Sequence, residues 1–216
     1  MKYLLATAAM IFAIPAGAMA ENLLPAKERA GFEIGVGESI LGHTVEGSYR
    51  LNDSFAVRGM YGKSSYDFEG DIDGNEFDGA LDLGGKGLFV DFYPTKGALR
   101  MSAGALMLDH SLDASTVGST EIMGTTYSST IDAKASFEKD IAPTISVGFN
   151  KPLFGSRFML SGDLGAAYVG GMKVSVKDNS GLIPTADLDA ETDDIRDALG
   201  DLNVAPFVKV GLSVAF

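Results

Sequence analysis

The sequence predicts an all-β fold: an eight-stranded antiparallel transmembrane β-barrel with a short helix in its last outer loop. Three observations carry that prediction. The first is the last stretch, Val204–Phe216, where Val208, Val210, Leu212, Val214 and Phe216 form one apolar row. Between them stand Lys209, Gly211, Ser213 and Ala215, a period of two that only a strand sorts onto opposite faces. Phe216 closes the chain and is expected to serve as its membrane-targeting terminus. The second is the start. Lys2, the apolar run Leu4–Ile14, the break Pro15-Ala16-Gly17 and the site Ala18-Met19-Ala20 before Glu21 read as an export signal removed at residues 1–20. The apolar run is too short for a membrane anchor, which takes about 18 residues or more. The third is an alternation of short and long connections between the strands.

Composition narrows the class. Removing residues 1–20 leaves 196 of 216 residues, the length of one domain (21–216), and lowers the net charge from −12 to −13. Such acidity is wrong for binding nucleic acid. An exported chain without cysteine has no disulfide framework, and with only two histidines it offers no structural zinc site. No cofactor is expected.

After a polar lead-in at 21–29, the strands follow in order, at about 30–38, 41–51, 55–65, 80–93, 98–110, 134–149, 157–170 and 204–216. In the first, Phe32, Ile34 and Val36 oppose Glu33, Gly35 and Gly37; in the second, Val45, Tyr49 and Leu51 oppose Thr44, Glu46 and Arg50. The third sets Phe55, Val57 and Tyr61 against Ala56, Arg58 and Met60; the fourth ends Leu88-Phe89-Val90-Asp91-Phe92-Tyr93. The fifth turns Leu99, Met101 and Met107 outward and Arg100, Ser102 and Gly104 inward. The sixth and seventh show Ile145, Val147, Phe158 and Leu164 outward and Thr144, Ser146, Ser161 and Asp163 inward. Turns at 52–54, 94–97 and 151–156 are short, whereas 66–79, 112–132 and 177–203 read as long polar loops; only the first hairpin, near Glu38–Ile40, is short where a long loop is due. Closure requires the first and last strands to pair, because lipid cannot hydrate an open edge. Strict alternation would put Lys86 in lipid, so a bulge or twist at Gly84-Gly85 or Gly87 is expected to turn it inward.

The inward rows carry Glu33, Glu46, Arg58, Asp91, Arg100, Asp163 and Lys209. Glu46, Arg58, Asp163 and Lys209 align near mid-height, and Asp91 and Arg100 face each other across the 94–97 turn. These charges either bridge one another and fill a narrow interior or line a polar lane for ions and small solutes. The outer loops are acidic. Asp67, Glu69, Asp71, Asp73, Glu76 and Asp78 lie in the first long loop, and Asp187, Asp189, Glu191, Asp193, Asp194 and Asp197 in the last. The frame around Asp73-Gly74 brushes a calcium-loop pattern but ends on Ala80 where glutamate is needed, so no metal site is assigned. Leu188, Ile195, Leu199 and Leu202 recur at helical spacing, predicting an amphipathic helix over about 186–201. Acidic loops at a mouth raise the local concentration of cations. No catalytic residues are assigned: His43 and His110 are expected far apart, and Ser161-Gly162-Asp163 lacks a nucleophile elbow.

Several segments resemble a known family. Lys139-Asp140-Ile141-Ala142-Pro143 with Ser146-Val147-Gly148-Phe149, Gly165-Ala166-Ala167-Tyr168 leading to Lys173-Val174, the acidic run Ala190–Arg196, and Pro206 before Lys209-Val210-Gly211 resemble the small outer-membrane barrels associated with ornithine uptake and carbapenem susceptibility. The resemblance is close from Lys139 onward, and the tryptophans common in such proteins are missing. It implies an eight-stranded barrel and slow entry of basic amino acids.

The leading expectation is a monomeric barrel in the bacterial outer membrane, with extracellular loops and periplasmic termini, acting as a narrow diffusion channel for small cationic solutes. The alternative is a sealed structural or surface-interaction barrel whose outer loops bind lipopolysaccharide, divalent ions or a partner. In either case the expected surroundings are outer-membrane lipid and lipopolysaccharide, reached through periplasmic chaperones and barrel-assembly machinery.

Overall fold

A period of two leaves every strand with one row for the interior and one for the outside, and a closed wall is what lets all of them pair. The computed structural model describes residues 31–72, 75–122, 125–154, 157–179, 181–199 and 202–216. The expected export signal and Asp73 lie outside the described residues. The strands are β1 (Phe32–Ser39), β2 (Gly42–Arg50), β3 (Phe55–Ile72), β4 (Asn75–Phe92), β5 (Leu99–Leu108), β6 (Ser111–Ile122), β7 (Thr125–Phe137), β8 (Ile141–Pro152), β9 (Phe158–Tyr168), β10 (Met172–Asp178) and β11 (Val204–Ala215); helix α1 spans Thr185–Leu199.

Eight of these form the barrel, in the order β1, β2, β3, β4, β5, β8, β9, β11 and back to β1, every pair antiparallel. Closure runs from Glu33 opposite Ala215 to Ser39 opposite Lys209. The Phe216 N–H donates to the Phe32 carbonyl at 2.8 Å, so the end holding both residues is here called the near end.

The two faces of the wall invert the soluble pattern. Val208, Val210 and Leu212 of β11 are exposed, while Phe207, Lys209 and Ser213 are buried. Ile34, Val45, Leu88, Ile145 and Leu164 continue the exposed apolar belt around the wall. Aromatics rim it: Phe32 against Phe216 at 6.5 Å and Phe55 against Phe92 at 5.2 Å at the near end, Tyr61 and Tyr168 toward the far end. An apolar band between aromatic girdles is the surface a barrel shows to lipid.

Beyond the wall the structure departs from expectation. The described residues of 66–79 and 112–132 are hairpin arms rather than loops, and β10 occupies 172–178. The upper part of β3, the upper part of β4, β6, β7 and β10 pair side by side into a far-end sheet. Strand β6 follows β5 across Asp109-His110, and β7 leads into β8 across 138–140, so the sheet prolongs the wall. The strand signal was present in 112–115, where Leu112 and Ala114 alternate with Asp113 and Ser115, but Ser, Thr and Gly beyond it read as loop. Helix α1, expected over 186–201, packs on this sheet with Leu188 against Ile131, Ile183 and Val176.

The expected inward turn of Lys86 does not occur. Lys86 is exposed in the outward row with Leu88 and Val90. Gly85 does take an unusual backbone conformation, at φ 146°, but β4 stays continuous against β3 and changes neighbour on its other side: β5 from Gly85 toward the near end, β6 from Asp82 outward. A Cβ on Gly85 would lie 2.2 Å from the Met107 carbonyl oxygen. Lys86 pairs with Met107 beside the last β4–β5 pair, Gly85 with Leu108. At such a rim a lysine costs about 0–1 kcal/mol, against about 2–4 at mid-membrane.

Candidate functional site

Six of the eight barrel strands, β2, β3, β4, β5, β9 and β11, each deliver one inward charged residue to a common level, and there the charges meet. Arg58 of β3 donates from Nε to Asp91 Oδ2 at 2.9 Å and from Nη2 to Asp91 Oδ1 at 3.0 Å. Arg100 of β5 makes the same two-pronged contact with Asp163 of β9, at 3.0 and 2.6 Å. Arg58 also reaches Asp163 at 3.4 Å, and Ser102 donates to Asp91 at 2.6 Å. Lys209 of β11 is ion-paired with Glu46 of β2 and donates to Ser161 at 3.2 Å. All six charged side chains are buried, three of each sign. Charges removed from water persist only when paired and hydrogen-bonded, and a planar guanidinium fork does both for a carboxylate. Glu33, the seventh expected lumen charge, stands apart: Asn150 Nδ2 donates to it at 2.8 Å and Ser213 Oγ lies at 3.4 Å.

On the far side of the network the interior turns apolar. Leu41, Met60, Phe89, Leu106 and Phe207 are buried together, with Phe89 stacked on Phe207 at 5.6 Å. The Arg58 guanidinium lies 4.9 Å from the Phe89 ring centre, so network and plug are in contact. Leu41 belongs to no strand. It comes from the tight β1–β2 turn, which folds over the mouth. Gly42 makes that turn with φ 79°, and a Cβ there would fall 2.3 Å from Ser64 Oγ. The His43 N–H donates to Ser64 Oγ at 2.9 Å, and His110 Nε2 donates to the Ile40 carbonyl at 2.8 Å. The short first hairpin thus carries Leu41 into the buried apolar cluster, a placement its sequence signalled only by breaking the alternation of loop lengths.

The far-end sheet gathers carboxylates expected in a loop onto one face. Register places Asp67, Ala80, Asp113, Lys134 and Ser175 in one cross-strand row, and Glu69, Asp78, Ser115, Asp132 and Lys177 in the next. The β6–β7–β10 half of these rows is satisfied. Lys134 reaches Asp113 at 2.9 Å, Ser115 donates to Asp132 at 2.6 Å, and Asn179 donates to Asp132 at 2.6 Å. These donors hold both carboxyls below the ordinary aspartate value, Asp113 chiefly through Lys134 and Asp132 chiefly through Ser115. The β3–β4 half is not satisfied. Among the described residues no side-chain hydrogen bond or ion pair reaches the carboxylates of Asp67, Glu69 or Asp78, and Glu69 lies directly opposite Asp78. A hollow of about 310 Å³ opens between Asp67, Glu69, Asp78 and Asp113.

Sequence reasoning assigned Asp67, Glu69 and Asp78 but passed over Asp113, Asp132 and Lys134, because only the register of separate hairpins brings them together. Asp71 and Glu76 pair with each other on β3 and β4, while their side chains lie outside what is described, as do those of Glu191, Asp194 and Asp197 on α1. Asp187, Asp189 and Asp193 sit on α1, away from the two rows. His43 and His110, expected far apart, both border the β1–β2 turn. His43 Nδ1 contacts Glu38 at 2.5 Å, and His110 Nδ1 is buried without a partner. Among the described residues no three His, Asp or Glu side chains converge on a metal position.

A scan against protein-family models and a search of curated proteins match nothing to this chain. Solved structures do match. CarO2 of Acinetobacter baumannii superposes with a TM-score of 0.61 at 23% identity, covering 91% of this chain and 100% of that one. CarO of the same organism gives 0.60 at 19% identity, covering 87% and 98%. Closed order, inverted wall and structural likeness agree: the chain has the eight-stranded outer-membrane-barrel fold seen in the CarO proteins.

Proposed function

We propose that this chain is a monomeric barrel of the bacterial outer membrane, closed to solutes at rest, which works through the acidic sheet it carries at its far end. The near end, with Phe32 and Phe216, faces the periplasm, and the far-end sheet stands outside the cell above the lipopolysaccharide. The observation that carries this reading is the doubly filled interior. A bridged network of Arg58, Arg100, Lys209, Glu46, Asp91 and Asp163 lies beneath an apolar plug headed by Leu41. Eight strands leave an interior just wide enough for side chains, and here side chains occupy it. What remains distinctive is the far end, where carboxylates without counter-charges favour cationic partners.

The second reading is a narrow channel for small cationic solutes such as basic amino acids. One observation favours it: the stopper is a hairpin turn, held to the wall through Ser64 and His110, and the network beneath is polar throughout. Passage would require the turn to lift and the guanidinium pairs to part. Liposome swelling with the refolded chain in arginine, glutamate and neutral amino acids separates the readings. The sealed barrel predicts swelling no faster than in protein-free liposomes; arginine-selective swelling would establish the channel.

A further inference from the structure

Strand β3 outruns its neighbour. Its pairing with β2 ends where Lys63 meets His43, while its pairing with β4 continues to Ile72 opposite Asn75. From Ser65 onward, alternate residues therefore point their N–H and C=O groups away from β4, toward a side where the sheet has no further strand among the described residues. Ser65, Tyr66, Asp67, Phe68 and Glu69 are all exposed there. A strand edge of this kind is a template for an added strand.

The rest of the sheet shows what the missing neighbour would carry. On the completed half, a lysine stands across from a carboxylate: Lys134 opposite Asp113, and Lys177 opposite Asp132. On the β3 side the same rows end on Asp67 and on Glu69, with Asp78 behind Glu69. Like charges directly opposite weaken a sheet, and opposite charges strengthen it. A second copy of this edge is a poor occupant, because antiparallel self-pairing about Phe68 would set Asp67 against Glu69. On the other face, Tyr66 and the Phe68 ring, which lies over Gly79, offer apolar contact to every second residue of a newcomer.

We propose that the Ser65–Gly70 edge of β3 accepts an extended segment of a partner protein as an added strand, with Lys or Arg alternating with apolar residues so that the basic ones face Asp67 and Glu69. This rests on the far-end sheet being the working surface. The test uses the refolded full chain in detergent and a blocked peptide of alternating Lys and Val, followed by fluorescence anisotropy and amide exchange. The expected results are saturable binding with protection of the β3 edge amides, no binding of the matching Glu-Val peptide, and binding about tenfold weaker with Asp67→Lys/Glu69→Lys. A Lys-Val peptide N-methylated on the backbone of its lysines, the residues that stand opposite Asp67 and Glu69, keeps its charge and loses its edge donors; it should not bind, and on the wild-type barrel it needs no folded variant. Equal binding of the N-methylated peptide would mean charge attraction without strand addition and would overturn the proposal. So would binding indifferent to peptide charge or to the double reversal. Solute uptake by the same preparation reports on the seal separately, so failure here is distinguishable from failure of the sealed-barrel reading.

Discussion

The barrel interior and the far-end sheet are made from the same side chains, carboxylates against lysines and arginines, and treat them in opposite ways. Inside, each carboxylate of the six-charge network has a counter-charge, and each guanidinium fork is used twice. Outside, only the β6–β7–β10 half is balanced, and the β3–β4 half leaves Glu69 facing Asp78. The difference follows from the surroundings. An unpaired charge in the interior costs several kcal/mol, about the whole margin of a small domain, whereas two solvated carboxylates across a strand pair cost about 0.2–1 kcal/mol. The exposed half can keep its charge available for something else; the interior cannot.

The sharpest way to break the comparison is Arg58→Ala. It removes the two-pronged partner of Asp91, which keeps Ser102 and the more distant Arg100, weakens the hold on Asp163, and is expected to cost about 3–5 kcal/mol. The readout is the urea midpoint followed by the heat-modifiable mobility of the folded barrel. Adding Asp91→Ala should recover part of that loss, since neither partner is then left buried alone. A loss unchanged by the second substitution would mean that Arg58 acts through packing against Phe89 rather than through charge.

Leu41→Ala probes the apolar layer and is expected to cost about 2–5 kcal/mol in the same assay. A loss below that range would show that the turn rests on the mouth without filling it. At the far end the sign reverses: Asp78→Lys places opposite charges across from Glu69 and should stabilise the sheet by about 0.2–1 kcal/mol, seen as slower amide exchange along β3 and β4. The smallest effect is in pH. Asp113 and Asp132 sit below the ordinary aspartate value, so the folded sheet binds fewer protons than the unfolded chain in acid. Their contribution is complete above the unfolded value of about 3.9 and is lost as pH falls through the folded values. Backbone chemical shifts of β6 and β7 should therefore hold steady through neutral pH and move only in strong acid, and Asp132→Asn should remove its share of that movement.

The fold was legible wherever one strand sufficed to reveal it. The alternation in Val208–Phe216 and in Leu99–Met107 decided both strand and facing, because lipid demands an unbroken apolar row. The lumen charges were legible for the same reason, although which pairs form depends on register: Arg58 finds Asp91 from a neighbouring strand, and Arg100 finds Asp163 from two strands away. The far-end sheet was not legible. Asp113 lies in a segment whose Ser, Thr and Gly favour turns, and its pairing with Lys134 is a tertiary fact. Leu41 was hidden too, since one leucine in a two-residue turn has no period. Lys86 was misread because alternation gives a side but no height.

Whether the interior is closed can be read from planar-bilayer conductance of the refolded chain. A closed interior gives no reproducible steps from the wild-type barrel in symmetric salt, and still none from Arg58→Ala while it stays folded, because Leu41, Phe89 and Phe207 remain in the mouth. Steady cation-selective steps from the wild type, altered by Arg58→Ala or Lys209→Ala, would contradict it and make the network the lining of a pore.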